Sequence, residues 1–360
     1  MNRRFQHEKA PAMRAEPKPF VSIVMPALNE EDYIEAAIRS VLPRTGTLEY
    51  ELLVMDGGST DGTAAIVGAM SAQNPRIKFI RNPRRIQSAA MNIAAREADP
   101  RAKYLLRADC HADYPPAFAE RTVAALWEMD AASVVVTMHS QGKGCMQQAI
   151  AAASNSRLGN GGSVHRRASG SAYVEHGHHA AFDRETYLAL GGYDESFRHN
   201  EDAEYDQRLV RSGRRIYLLG DLAIDYFPRA GLASLARQYR NYGWGRANTL
   251  LKHRARPRLR QLLPVAILLG NVGAAALSLF EPWFLAVPLL YAALCCGWGL
   301  GLAVKAGAVC PALSGPAAMV MHMSWAFGFL SRLAGRVLGG WPGRTARAGG
   351  MRQGAGTRGG

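Results

Sequence analysis

The sequence predicts a doubly wound α/β domain built on a mixed sheet, followed by helices that enter a membrane. Three observations predict it. Short β-branched runs alternate with helix-spaced stretches over the first two-thirds of the chain, the chemically unusual residues fall just after those runs, and long apolar segments follow a basic, aromatic stretch near the C-terminus. Repeated strand-loop-helix units favour a mostly parallel sheet with helices on both faces. Ligands of such sheets sit at the carboxyl ends of the strands.

Residues 1–19 are polar, broken by Pro11, Pro17 and Pro19, and lack the apolar core of a signal peptide, so they read as a disordered leader. A folded domain is expected over 20–234. Phe20 to Met25 is its first strand, broken by Pro26-Ala27-Leu28-Asn29, and Glu30 to Val41 has helical spacing. Glu51 to Met55 is a second strand ending in Asp56-Gly57-Gly58-Ser59-Thr60-Asp61-Gly62-Thr63, with an Ala-rich helix to Met70. Strands at Ile77 to Ile80, Lys103 to Arg107 and Ser133 to Thr137 then alternate with helices at Gln87 to Ala98 and Pro116 to Met129. Gln141 to Arg157 reads as a helix, and the Gly- and Ser-rich 159–170 as a mobile lid. Further helices are expected at Arg184 to Leu190 and from Asn200-Glu201-Asp202 to about Ser212-Gly213.

Charge is unevenly placed. Of the formal +14, residues 1–225 carry −1 and the remainder carries +15, with Glu281 its only acid. The basic excess accompanies the apolar runs, which points to an anionic membrane surface and away from nucleic acid. Residues 235–261 read as an interfacial helix rich in Arg, Lys and aromatics, and 262–330 as membrane helices, at Leu262 to Phe280, Trp283 to Val304 and Ala308 to Leu330. Basic flanks at Lys252 to Arg260 and Arg332 to Arg358 favour a cytoplasmic position for both. Two crossings satisfy that, with the first or third run re-entrant or interfacial, and 331–360 as a basic disordered tail. The five cysteines form no C-x-x-C pair and no zinc spacing, so free thiols in a reducing compartment are expected.

Asp109 and His111 are two residues apart and share a face on an extended backbone. A carboxylate with an imidazole suits a divalent cation of intermediate softness, Mn²⁺ more readily than Mg²⁺. The alternative is a loop carboxylate beside a surface histidine. Asp56, followed by Gly57 and Gly58, can bond a nucleobase or ribose and let the ligand approach the backbone, or simply cap a strand-to-helix turn. No G-x-G-x-x-G follows any of these strand runs, which sets aside the dinucleotide fingerprint. Glu201 and Asp202 offer carboxylates for base chemistry, or charge that favours a helix start. Adjacent His178 and His179 would face opposite ways on a strand, so His176, His178 and His179 are awkward as a shared metal site, and His178 is read as lining an acceptor pocket. Arg84, Arg85 and Gln87 belong either near a diphosphate or in a solvated basic loop.

Pro26-Ala27-Leu28-Asn29-Glu30, the Asp56 to Thr63 run, Asp109-x-His111 and Glu201-Asp202 occur in an order and spacing that resembles family 2 inverting glycosyltransferases of the GT-A fold. Asn82 to Ser88 and Arg107 to Pro115 look most like the succinoglycan-type exopolysaccharide glucosyltransferases within it. The resemblance implies that Pro26, Ala27, Asn29 and Glu30 line a nucleotide pocket and that Asp56 holds uracil or ribose, with Gly58, Arg85 and Gln87 nearby. It implies that Asp109 faces ribose and metal, that His111 replaces the second carboxylate of the usual D-x-D, and that Asp202, beside Glu201, is the catalytic base. Gln238 and Arg246 supply residue types of the Q-x-x-R-W motif of processive synthases without its spacing. A single sugar addition is therefore expected, with both residues closing over the acceptor. The resemblance thus implies transfer of one hexose from a UDP-sugar to a polyprenyl-linked saccharide, at the cytoplasmic face of the inner membrane, with membrane lipids as neighbours. Transfer to a polyprenyl phosphate, a membrane nucleotidyltransferase and a non-catalytic membrane scaffold are the alternatives.

Overall fold

The computed structural model describes residues 18–161 and 170–338. Most of the expected leader, residues 162–169 of the expected lid and the tail from 339 onward lie outside the described residues. β1 (Phe20–Ala27), β2 (Glu49–Asp56), β3 (Ile77–Arg81) and β4 (Ala102–Arg107) are parallel, in the order β3-β2-β1-β4. Each falls where the sequence places it. Their apolar runs are buried on both faces, Val21, Ile23 and Met25 toward one core and Val24 toward the other. Register puts Ala27 beside Asp56, so the two following loops start level.

Beyond β4 the sheet changes direction. β5 (Ala112–Asp113) and β6 (Ser133–Ser140) are followed by β7 (Ala172–Val174), β8 (His178–Asp183) and β9 (Ile216–Tyr226). β8 runs antiparallel to both β4 and β6, while β9 is parallel to β6 and antiparallel to β5 and β7. The sheet is mixed, as expected. None of β7, β8 and β9 was anticipated as a strand.

α1 (Ile34–Val41), α2 (Thr63–Gln73) and α4 (Phe118–Glu128) cover one face. α1 buries Ile34, Ala37, Ile38 and Val41, the spacing of a one-sided helix. α3 (Gln87–Glu97), α7 (Arg184–Ala189) and α8 (Glu201–Arg211) cover the other. There Phe182, Tyr187, Tyr193 and Tyr205 form edge-on and tilted ring contacts with centroids 5.2 to 6.1 Å apart.

The C-terminal part departs from expectation in three ways. α9 (Leu232–His253) does not lie free as an interfacial helix; it is held between the sheet domain and α12 (Ser314–Leu338). Two glycines allow the contact: a Cβ on Gly243 would fall 1.9 Å from the Trp325 carbonyl oxygen, and one on Gly328 would fall 1.9 Å from that of Arg240. Only glycine lets two backbones meet so closely. The third apolar run is therefore a packing helix, which continues to Leu338, into the stretch expected to be disordered, with Arg332 donating to Asn248 Oδ1 at 2.9 and 3.1 Å. Among the described residues, Leu259–Leu277 (α10) and Pro282–Ala306 (α11, Ala286–Ala306, with the turn before it) are long and apolar enough to cross a membrane. Leu263, Leu269, Val272, Leu289, Leu290 and Leu294 are all exposed on them. So much outward-facing apolar surface marks a lipid or partner contact.

The cysteine expectation is corrected as well. Cys145, at the start of α5 (Cys145–Asn155), is disulfide-bonded to Cys310, in the turn before α12, while Cys110, Cys295 and Cys296 are free. Spacing along the chain could not reveal it, because 165 positions separate the partners. α5 and α12 meet through Ile150, Ala153, Ala317, Ala318 and Met321, and that packing brings the two thiols together.

Candidate active site

A cleft of about 880 Å³ opens at the carboxyl ends of β1, β2 and β4. The chain leaves β1 to one side for β2 and returns on the other for β4, so this is the point where the strand order reverses, the usual place for a ligand. Pro26, Ala27, Glu30, Arg85, Gln87, Asp109, His111, His178, Glu201, Asp202, Gln238 and Arg246 all line it. Segments separated by more than two hundred positions thus converge on one cleft.

Asn29, Asp56 and Gly58 stand behind that wall. The Asp56 carboxylate accepts from the Gly58 amide at 2.9 Å, the Ser59 amide at 3.1 Å and the Ser59 hydroxyl at 2.6 Å. Asn29, at φ +57°, accepts the Thr60 amide at 2.8 Å and donates its own amide to Ser59 Oγ at 2.9 Å. Gly62 donates to Glu31, and the Glu30 amide donates to Thr63 Oγ1. These bonds lock the loop after β1 onto the loop after β2 and present Ala27, Leu28 and Gly57 to the cleft. Arg85 folds onto the same loop, donating to the Gly57 and Gly58 carbonyls at 2.8 and 3.3 Å. Arg84 turns away to pair with Glu195.

Asp109 is the centre of the polar cluster. It is buried, with Arg107 Nε 3.2 Å and Gln87 Nε2 3.1 Å from Oδ1 and His178 Nε2 3.5 Å from Oδ2. Burial opposes its charge, but Arg107, His178 and His111 outweigh it and hold the carboxyl well below the usual range. Burial pushes His178 down to about 4, so at neutral pH its imidazole is uncharged. His111 places Nδ1 3.6 Å from Glu30 Oε1 and stacks edge-on against Tyr226 at 5.1 Å.

Among the described residues no three His, Cys, Asp or Glu side chains gather as a ready-made metal cage. Asp109 and His111 nevertheless fit a divalent cation, since a carboxylate and an imidazole line the same cleft. Phosphate oxygens and water would complete its shell.

The four acids of α8 have separate tasks. Glu201 is buried with Arg107 Nη1 at 3.9 Å, and Glu204 binds Arg208, Lys252 and His253. Asp206 takes His176 Nδ1 and His179 Nε2, each at 2.6 Å. Asp202 lines the cleft and, among the described residues, forms no ion pair within 4 Å; its Oδ1 accepts the Ala203 amide at 2.7 Å. Burial and the neighbouring Asp202 raise Glu201, whereas Asp202 stays low because His176, His179 and Arg107 overcome its burial. At neutral pH, Asp202 is ionised and free to accept a proton.

Arg107, Asp206 and Asn200, not singled out as site residues by sequence alone, complete the site. Arg107 is buried between Asp109 and Glu201, and as the last residue of a buried strand, two positions before Asp109, it could have been suspected. Asp206 and His179 form a supporting chain: Tyr193 Oη lies 2.6 Å from His179 Nδ1, and Asn92 ties the Tyr193 backbone on both sides at 2.8 Å. His176 and His179 thus share a carboxylate, and no metal is needed to explain them. Arg246 Nη2 approaches His176 Nε2 at 3.5 Å, and Asn200, left-handed at φ +62°, donates to the Tyr242 carbonyl at 2.8 Å. α9 is thereby tied to the start of α8, which carries Glu201 and Asp202.

A mixed sheet with clustered carboxylates at the reversal of strand order defines the class: a GT-A nucleotide-sugar transferase fold. Residues 22–190 match Glycosyl transferase family 2. The succinoglycan biosynthesis protein ExoA of Rhizobium meliloti is 45% identical over 312 residues, covering 86% of this chain and 94% of that protein. The chain belongs to glycosyl transferase family 2. Chondroitin synthase of Escherichia coli is 38% identical over 78 residues, 22% of this chain and 11% of that protein. Among solved structures, the mannosyltransferase PcManGT of Pyrobaculum calidifontis, in complex with GDP-Man and Mn²⁺, shares the fold with a TM-score of 0.54 and 20% identity, over 90% of this chain and 91% of that one.

Proposed function

We propose that this glycosyltransferase moves one hexose, with inversion, from a UDP-sugar to a polyprenyl-linked saccharide during exopolysaccharide assembly. The observation that carries the reading is the position of Asp202, an ionised carboxylate without an ion-pair partner among the described residues, across one cleft from Asp109 and His111. The acceptor hydroxyl gives its proton to Asp202 as its oxygen attacks the anomeric carbon and the bond to the diphosphate breaks. Attack from the face opposite the leaving group inverts that carbon. Asp109 and His111 would hold a divalent cation, Mn²⁺ before Mg²⁺, whose Lewis acidity offsets charge on the departing diphosphate. Neutral His178 and protonated Arg107 fix Asp109 in place, and Gln238 and Arg246 border the acceptor side.

The likeness to ExoA supports the exopolysaccharide setting. Leu259–Leu277 and Pro282–Ala306 cross the inner membrane in this reading, an even number that keeps the sheet domain and the chain end on the cytoplasmic side, and 235–261 meets the headgroups through its basic residues. The test is nucleotide release from a panel of UDP- and GDP-sugars with Mn²⁺ or Mg²⁺, together with mass spectrometry of the lipid product. Release of UDP and a product one hexose heavier are expected. Release of pyrophosphate, or turnover with GDP-sugars alone, overturns the reading.

A further inference from the structure

The cleft has a second half that the chemistry above does not use. It is also lined by Arg157, Arg198, Arg229, Arg237 and Arg260, none of which has an ion-pair partner within 4 Å among the described residues. It continues between helices α9, α10 and α12, past Leu263, Pro264 and Ile267 of α10 and Met321 and Trp325 of α12. Five guanidinium groups around one cavity, none paired with a carboxylate within 4 Å among the described residues, call for an anion. The donor's diphosphate does not account for all of them, because its place is beside Asp109, His111 and Arg85.

On the far side of the α10–α12 seam lies a second cavity of about 530 Å³, lined by Ala236, Arg237, Arg240, Leu268, Met323, Ser324 and Phe327. Arg237 belongs to both. The two cavities use adjacent faces of the same helices: residues 263, 264 and 267 of α10 face the cleft and 268 faces the groove, while on α12 they are 321, 322 and 325 against 323, 324 and 327. The groove is apolar apart from Ser324 and two exposed arginines at one edge, and α10 is one of the two helices apolar enough to span a membrane. A cationic rim on an apolar groove matches a long-chain lipid with a phosphate head.

We propose that the groove between α9, α10 and α12 is a lateral entrance for an isoprenoid lipid diphosphate, with Arg237 as the gatepost that receives its phosphates and passes the attached sugar toward Asp202. The proposal deepens the lipid-linked acceptor reading and rests on it for the direction of approach. The site itself is defined by the two cavities and Arg237.

The test measures binding of farnesyl diphosphate and of inorganic pyrophosphate to the full-length protein in nanodiscs. The intact protein, Arg237→Ala, Arg237→Lys and Phe327→Ser are compared, with circular dichroism on each to confirm folding. Farnesyl diphosphate should bind at least about tenfold more tightly than pyrophosphate, since burying several apolar CH₂ groups adds about 0.8 kcal/mol each. Arg237→Ala should weaken both probes about tenfold, Arg237→Lys should recover part of that loss, and Phe327→Ser should weaken farnesyl diphosphate alone. Equal affinities for the two probes in the intact protein mean a free-phosphate site and overturn the lipid entrance, as does unchanged farnesyl diphosphate binding in folded Arg237→Ala. A protein that binds farnesyl diphosphate in this Arg237-dependent way but transfers no sugar to lipid-linked acceptors upholds the entrance and refutes the acceptor reading. The two failures are thus separable.

Discussion

The two walls of the cleft are built on opposite principles. On the sheet side the buried acids other than Asp202 are already answered: Asp109 by Arg107, Gln87 and His178, Glu201 by Arg107, Asp206 by two histidines. On the helical side the arginines stand without acidic partners among the described residues. A wall whose charges are mutually fixed positions reacting atoms without reorganising. A wall of unanswered charges has affinity for something that arrives from outside. In the proposed reading, chemistry belongs to the strand ends and recognition to the helices.

The sharpest way to break this contrast is Asp202→Asn. It should lower the rate of sugar transfer by about 10²- to 10⁴-fold, the range for removing a general base, while UDP binding, measured by calorimetry, is kept. Loss of both together would mean that Asp202 positions the donor. Next in size is His111→Ala, which should raise the Mn²⁺ concentration for half-maximal rate by about 10- to 100-fold. An unchanged Mn²⁺ titration would move the cation elsewhere.

Asp206→Asn probes the support behind the sheet wall. Breaking so buried a pair should cost about 3 kcal/mol of stability, read as a lower melting temperature. The sign with pH follows from the Asp206 carboxyl, which lies below its ordinary value because His179 and His176 outweigh burial. Its contribution is complete above pH 3.8 and is lost as pH falls below that toward the folded value. The variant should therefore lack part of the acid limb of the stability curve. Smallest is Cys145→Ala, which removes the link between α5 and α12. A loss of about 2 kcal/mol is expected, with the melting temperature falling in oxidised samples only; an identical melting curve under oxidising and reducing conditions in the intact protein would show the link to be dispensable.

The sheet wall was more legible in sequence than the helical one, for physical reasons. β1 to β4 announce themselves because a parallel strand buried on both faces must be a continuous apolar run, and Asp109 and His111 follow one directly. β8 begins with His178 and His179, which look like loop until Asp206, Tyr193 and Asp109 are seen to satisfy them. β9 alternates buried and open positions but contains Gly220-Asp221, which reads as a turn. The register with β6 jumps there from Val136↔Leu219 to Thr137↔Ala223, so the strand carries a bulge no local pattern reveals. Asp56 shows the converse. Its motif was plain, yet most of its visible bonding is internal to its own turn. In the helical region hydropathy counted three apolar runs but could not tell which one packs on protein, because that depends on Gly243 meeting the backbone of α12 and Gly328 meeting that of α9.

That glycine crossing has a consequence for how far the enzyme can reach. α9 grips α12 backbone to backbone, and through Tyr242 it also grips Asn200 at the start of α8, two residues before Asp202. With no slack between the two grips, the height of the reacting carboxylate above the helices is a fixed gauge. Under the proposed transfer to a chain anchored among those helices, one added sugar would carry the new end past that height, and a single addition per visit is the expected outcome.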